Sequence, residues 1–183
     1  MLDRLNVRYG KTYKNGSYVG RQYVRAEHPY ESVGPQWITG RIADYVALDM
    51  FSCKYTDLTE SELAKINLAR QGGDWFSSAQ AEAGAIHGHE VKVSRSDWLA
   101  ELRDPTKADA WKRYCTYWWL VAPREVVCDD LPDGWGLLVP HGKSLKIAVR
   151  AARLDPEPMP VRTVAALTRA VMQTETRLLG GGR

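Results

Sequence analysis

The sequence predicts an α/β protein with a central mixed β-sheet flanked by helices. Three observations carry this. Short β-rich runs alternate with segments of helical character, in the order strand, inserted helix, strand, helix pair, strand, hairpin, helix. The stretch from 86 to 122 reads as strand, helices, strand, long enough for a parallel crossover. GWGLLVP and SLKIAVRA flank the turn HGKS and read as an antiparallel hairpin, which makes the sheet mixed. At 183 residues and 44% hydrophobic, the chain suffices for one domain, 1–183, with a packed core.

The elements follow in order. The first 40 residues are rich in Tyr, Gly and Arg, with a turn signal at KNGS and a short strand at RQYVRAEH (21–28). HPYESVGPQ reads as loop. RIADYVALDMF (41–51) is a largely buried strand carrying Asp44 and Asp49. Thr59 with Glu62 three residues on is a capping-box signature, and Gly72-Gly73 is a stop, so a surface helix is expected near 60–70. IHGHEVKV (86–93) is a strand. Ser96 is the expected N-cap of the next helix. Asp104 caps another, with Pro105 at its first position, running to about Cys115. YWWLVA (117–122) is a strand ended by Pro123, with Trp118 and Trp119 assigned to packing on opposite faces. PEPMP (156–160) is a stiff linker. Residues 161–179 form an amphipathic helix whose stripe holds Val161, Val164, Ala165, Thr168, Val171 and Met172.

Composition excludes some functions. No run approaches the ~18 apolar residues of a membrane span, and the N-terminus has no signal-like apolar stretch. Cys53, Cys115 and Cys128 share no CxxC spacing and read as reduced thiols of a cytosolic protein. Charge is uneven. Residues 1–30 carry six Lys/Arg against two acids, 31–140 carry 11 against 17, and 141–183 carry eight against three. An acidic middle between basic ends suits a carboxylate site beside surfaces that attract a polyanion, and equally a solvated surface with chance clustering.

The chemistry concentrates in HGHEVKVSRSDW (87–98). A strand alternates faces with period two, so Glu90 and Lys92 share one face while His87 and His89 share the other. His-x-His is a metal-ligand spacing, but His28 and His141 stand in no second such motif, and Val91 and Val93 turn that face toward packing. Glu-x-Lys gains weight from Asp44 on the preceding strand. Asp44, Glu90 and the Val91 carbonyl form an oxygen donor set for Mg²⁺, with Lys92 placed to orient a water or neutralise a phosphate.

Asp…Glu-x-Lys on adjoining strands resembles the PD-(D/E)XK nuclease superfamily. RIADYVALDMF, HGHEVKVSRSDWLAELRDPTKADAWKRYC, YWWLVAP and LPDGWGLLVP, in that order, are similar to the MmcB-like DNA-repair nucleases and related actinobacterial and phage proteins. The resemblance implies a restriction-endonuclease-like core and a magnesium-dependent deoxyribonuclease, in the endonuclease form. Manganese would substitute for magnesium. Its place would be in repair, recombination or phage DNA processing, in the cytoplasm of a bacterial or phage-infected cell. Asp44, Glu90 and Lys92 match the catalytic positions, with Asp44, Glu90 and Val91 as the metal set. Glu27, Asp49, Ser94 and Asp97 are additional candidates, while Ser96 and Asp97 also suit helix capping. Arg41, Arg95 and Lys107 are candidate contacts to nucleic acid. Residues 55–85 form an insertion, so Asp49, Asp57 and Asp74 compete with Asp44 as the first aspartate. DNA is the expected partner, and the resemblance allows a homodimer. Two other readings stand beside this one: a non-catalytic nucleic-acid-binding module, and a protein that binds a partner through its tail helix.

Overall fold

The computed structural model describes residues 1–10, 12–15, 18–21, 23–31, 41–49, 84–104, 106–127 and 129–180. The expected helix near 60–70, nearly all of the 55–85 insertion, and Asp57, Asp74 and Trp75 lie outside them. In chain order the elements are α1 (Leu2–Tyr9), β1 (Thr12–Asn15), β2 (Tyr18–Arg21), β3 (Tyr23–Glu27), β4 (Tyr30–Glu31), β5 (Arg41–Ile42), β6 (Tyr45–Asp49) and β7 (Ile86–Val91). Then follow α2 (Arg95–Leu102), α3 (Thr106–Lys112), β8 (Tyr117–Val121), α4 (Arg124–Val127), β9 (Gly136–His141), β10 (Ser144–Val149) and α5 (Val161–Gly180).

Six strands form one mixed sheet in the order β10-β9-β8-β7-β6-β3. The α/β architecture expected from the sequence is present. β7, β8 and β9 run parallel, and β3, β6 and β10 are antiparallel to their neighbours. The helix pair α2–α3 is the crossover from β7 to β8. The hairpin β9–β10 turns on Gly142-Lys143, where Gly142 has φ +56°, a left-handed value that glycine adopts without steric penalty.

The strands separate two cores. One holds Val46, Trp98, Trp111, Trp118, Leu120 and Leu137 beneath α2 and α3. The other holds Leu5, Tyr9, Tyr45, Trp119, Val121 and Leu138 beneath α1. Trp118 and Trp119 are both 1% exposed, in opposite cores, as strand parity requires. Leu2, Leu5 and Tyr9 recur at helical spacing, which gives α1 its buried face. That signal went unread among the Tyr- and Gly-rich segments around it.

Two local expectations are corrected. The N-cap of α2 is Ser94, whose hydroxyl accepts from the Asp97 N–H at 3.2 Å; Ser96 lies within the first turn. Capping needs the residue whose backbone is still extended, and Ser94 has φ −134° and ψ 155°. α3 ends at Lys112, because Tyr114 and Cys115 donate to carbonyls only three residues back and tighten the last turn.

The tail helix is correctly located but rotated from the expected face. Thr163, Ala170 and Thr174 are buried, whereas Val161, Val164 and Met172 are exposed. Polar contacts with β3 set this rotation. Thr174 Oγ1 accepts from the Glu27 N–H at 2.9 Å and donates to the Ala170 carbonyl. Arg25 pairs with Glu175, and Arg177 with Glu27. Small residues on this face let α5 approach the sheet edge and cover it.

Candidate active site

Asp44 lies one residue before β6. The register Tyr45↔His89 therefore continues to place Asp44 opposite Glu90. Asp44 Oδ2 accepts the Val91 N–H at 2.8 Å, which ties the first acid to the end of β7. Lys92 follows β7, and its N–H still donates to the Val121 carbonyl at 3.0 Å, so its side chain keeps the parity of Glu90. Lys92 Nζ stands 2.6 Å from Glu90 Oε1 and 2.9 Å from Glu101 Oε2. The side chains of Glu90 and Lys92 are 14% and 15% exposed. Asp44, Glu90 and Lys92 are thus gathered at one end of the sheet, on the face covered by α2.

Glu101 is the member that sequence reasoning missed. It shares the buried side of α2 with Trp98, three residues earlier. An acid one helical turn from a tryptophan, on a helix that begins beside the motif, was the available signal.

Burial, and then the neighbouring Asp44 charge, push the Glu90 carboxyl up to about 7, with Lys92 pulling the other way. Burial alone would draw the Lys92 ammonium down. Its hydrogen bonds and charge contacts with Glu90 and Glu101 outweigh that and hold it above the ordinary lysine value. One cation is shared between two acids while a third stands across the strand gap. Such a cluster has an excess of negative charge and attracts a further cation.

Among the described residues, no group of three or more His, Cys, Asp or Glu side chains is arranged to enclose a metal ion. The oxygen donors do fit a hard cation of another kind. Mg²⁺ keeps several waters and takes only one or two carboxylates. Asp44 and Glu90 could supply these, and Val91 ends β7 beside them, its N–H on Asp44.

The other candidates are placed as follows. Glu27 and Asp49 share the parity of Tyr45, so they face the α1 side and do not join the cluster. Glu27 is bound to Asn6 at 2.6 Å and to Arg177, and Asp49 is fully buried. Ser94 caps α2, and Asp97 donates its N–H to that cap. Arg95 grips Asp130 through two nitrogens and also donates to the Val126 and Val127 carbonyls, which locks α2 to α4. Lys107 is exposed, 3.9 Å from Asp104. The Arg41 side chain lies outside the described residues. Trp98, on α2, is fully buried and donates its indole N–H to Asp130 at 2.6 Å.

His87 and His89 lie on the other face, as parity requires. His89 Nε2 is 2.9 Å from the Tyr9 hydroxyl, and Trp119 Nε1 donates to His87 Nδ1 at 3.2 Å. Both are sealed among aromatic rings.

His28 was not singled out by sequence. Its φ of +50° is the only left-handed non-glycine backbone among the described residues. Its N–H donates to the Asp44 carbonyl at 3.1 Å, and Nδ1 lies 3.9 Å from Asp44 Oδ1. His28→Gly is expected to stabilise the protein by about 1 kcal/mol, since glycine adopts this conformation without the Cβ clash. A urea midpoint that stays put or falls would show that the ring contact with Asp44 outweighs the backbone strain.

No protein-family model matches the sequence, and no curated protein does. Among solved structures, a protein of unknown function from Silicibacter pomeroyi is similar at 16% identity and a TM-score of 0.48, over 86% of this chain and 77% of that one. No helix among the described residues is long and apolar enough to cross a membrane.

Proposed function

We propose that this protein is a divalent-metal-dependent nuclease that hydrolyses phosphodiester bonds of DNA. The observation that carries the reading is the convergence of Asp44 and Glu90 on adjoining strands, with the Lys92 ammonium 2.6 Å from Glu90. In this reading Asp44, Glu90 and the Val91 carbonyl hold the cation. A bound magnesium ion would supply charge neutralisation at the phosphate and lower the pKa of a nearby water.

The chain's own residues do the rest. Water oxygen bonds to phosphorus, one phosphorus–oxygen ester bond breaks, and the proton lost by water finally balances the departing alkoxide. Negative charge grows on the phosphoryl oxygens during this exchange. Lys92, held by two carboxylates, cannot swing freely and meets that charge without reorganisation. Glu101 is a positioning residue here, since its carboxylate acts on the site by pairing with Lys92.

The test is cleavage of single-stranded, duplex and branched DNA with Mg²⁺ or Mn²⁺. Glu90→Ala and Lys92→Ala are each expected to slow cutting by about 10²–10³-fold or more. A parent that cuts no substrate, or variants that cut at the parental rate, would refute the reading.

A further inference from the structure

The register carries the row of side chains beside Lys92 across three more strands. Lys92 is followed on the same face by Ala122, then Val139, then Lys146, which pairs with Val139 across the hairpin. Strands are ~4.8 Å apart, so the Lys92 and Lys146 backbones are separated by about 14 Å. A groove of about 560 Å³ opens at the Val139–Lys146 end of this row, with Pro123 and Ala148 also in its lining, while Ala122, between it and Lys92, is fully buried. Arg124, Glu125 and Lys146 add its charged groups, two cations against one acid. Neither Arg124 nor Lys146 has an ion-pair partner among the described residues, in contrast to Arg95.

We propose that this groove is the track for a single DNA strand leaving the reacting phosphate, with Arg124 and Lys146 contacting its backbone. The inference rests on the nuclease reading for the position of that phosphate. DNA rises ~3.4 Å per nucleotide along one strand, so 14 Å corresponds to about four nucleotides. The Lys146 backbone stands at the far end of that span. Val139 and Ala148 leave the floor apolar and low, so a backbone can lie across it. The net positive lining complements a polyanion, whereas the acidic cluster at Lys92 by itself repels one. Neither Arg124 nor Lys146 lies in a sequence motif, and only the sheet order, parallel from β7 to β9 and then antiparallel to β10, brings Lys146 into line with Lys92.

The experiment is fluorescence anisotropy of the full chain with a labelled single-stranded oligonucleotide, in EDTA, over a salt series. Arg124→Ala with Lys146→Ala is expected to bind about tenfold more weakly at low salt and to reduce the slope of log K against log salt by about 1.4, two contacts at ~0.7 each. Arg162→Ala with Arg169→Ala, exposed on α5, is the control and should keep the parental slope. A groove variant with parental affinity and slope overturns the proposal. So does an equal loss in the control, or a parent that binds no strand. Cleavage is scored separately. A parent that binds with the expected slope change yet never cuts removes the nuclease reading and leaves the groove. A parent that cuts while the groove variant binds normally does the reverse.

Discussion

Gly88→Ala is expected to destabilise the protein by about 3 kcal/mol, near the top of the range for overpacking. A Cβ at Gly88 would lie 2.3 Å from Trp118 Cζ3, 2.4 Å from Cε3 and 2.7 Å from Cys115 Sγ. Gly88 and Trp118 are partners in the β7–β8 register, so the indole lies over the glycine. Trp118 cannot swing away, because it is 1% exposed and meets Trp135 edge to face at 5.9 Å. Strand glycine to alanine ordinarily gains up to about 1 kcal/mol of backbone entropy, and the clash outweighs it. On the other face Gly136 lies beneath Trp119 in the same way, with an added Cβ 2.2 Å from Cε3. Urea denaturation measures both. A loss below about 0.5 kcal/mol, the ordinary scatter of surface substitutions, would mean that the indoles relax. Glu90 stands two residues beyond Gly88, so under the proposed nuclease reading a displaced β7 should also lower cleavage.

Acidification is expected to unfold the protein through His87 and His89. Burial, reinforced by the Arg8 cation, pulls the His87 imidazolium down to about 3. Burial, then His87 and Arg8, holds His89 well below its ordinary value, against the hydrogen bond to the Tyr45 carbonyl. Arg8 is the cation facing the pair, with Tyr9, Tyr23, Tyr45, Tyr117 and Trp119 packed around it. The folded pKa values are depressed, so both rings stay neutral in the folded chain while the unfolded chain takes up protons near pH 6.5. Their stability is complete above that pH and is lost as pH falls toward 3. At pH 5 the His87 share of the loss is about 2 kcal/mol, from 1.5 pH steps at ~1.36 kcal/mol each, and His89 adds to it.

Glu90 acts in the opposite sense over the same window, because its folded pKa is raised. The histidine contribution is therefore read as a difference. His87→Gln with His89→Gln should be less stable than the parent at pH 7.5, yet lose less stability between pH 7.5 and 5. Parallel pH profiles for the two proteins would exclude the histidines as the cause.

Much of the architecture was legible because it depends on local rules. The crossover from β7 to β8 and the β9–β10 hairpin follow from segment lengths and turn residues. The elements misread were those whose conformation depends on distant groups. The N-cap of α2 lies two residues earlier than expected, because the extended backbone ends at Ser94 and Arg95 already reaches the α4 carbonyls and Asp130. The buried face of α5 was misassigned because apolar count favoured Val161, Val164 and Met172. Hydrogen bonds and ion pairs to β3, about 150 positions away in sequence, selected Thr163, Ala170 and Thr174 instead.

The candidate site divides in the same way. Strand alternation is a property of the backbone, so the sequence alone determined that Glu90 and Lys92 share a face from which His87 and His89 are excluded. It also marked Asp44 as the acid from the preceding strand, with Asp49, Asp57 and Asp74 as competitors, the last two outside the described residues. Only the tertiary structure decided between Asp44 and Asp49, since β6–β7 register sets Asp44 opposite Glu90 and parity turns Asp49 toward α1. It likewise brought Glu101 onto Lys92 and His28 against Asp44, and set Lys146 in line with Lys92. Those contacts join residues far apart in the chain. Side-chain parity is determined within a few residues, whereas proximity across strands and helices exists only once the sheet order and the packed faces are formed.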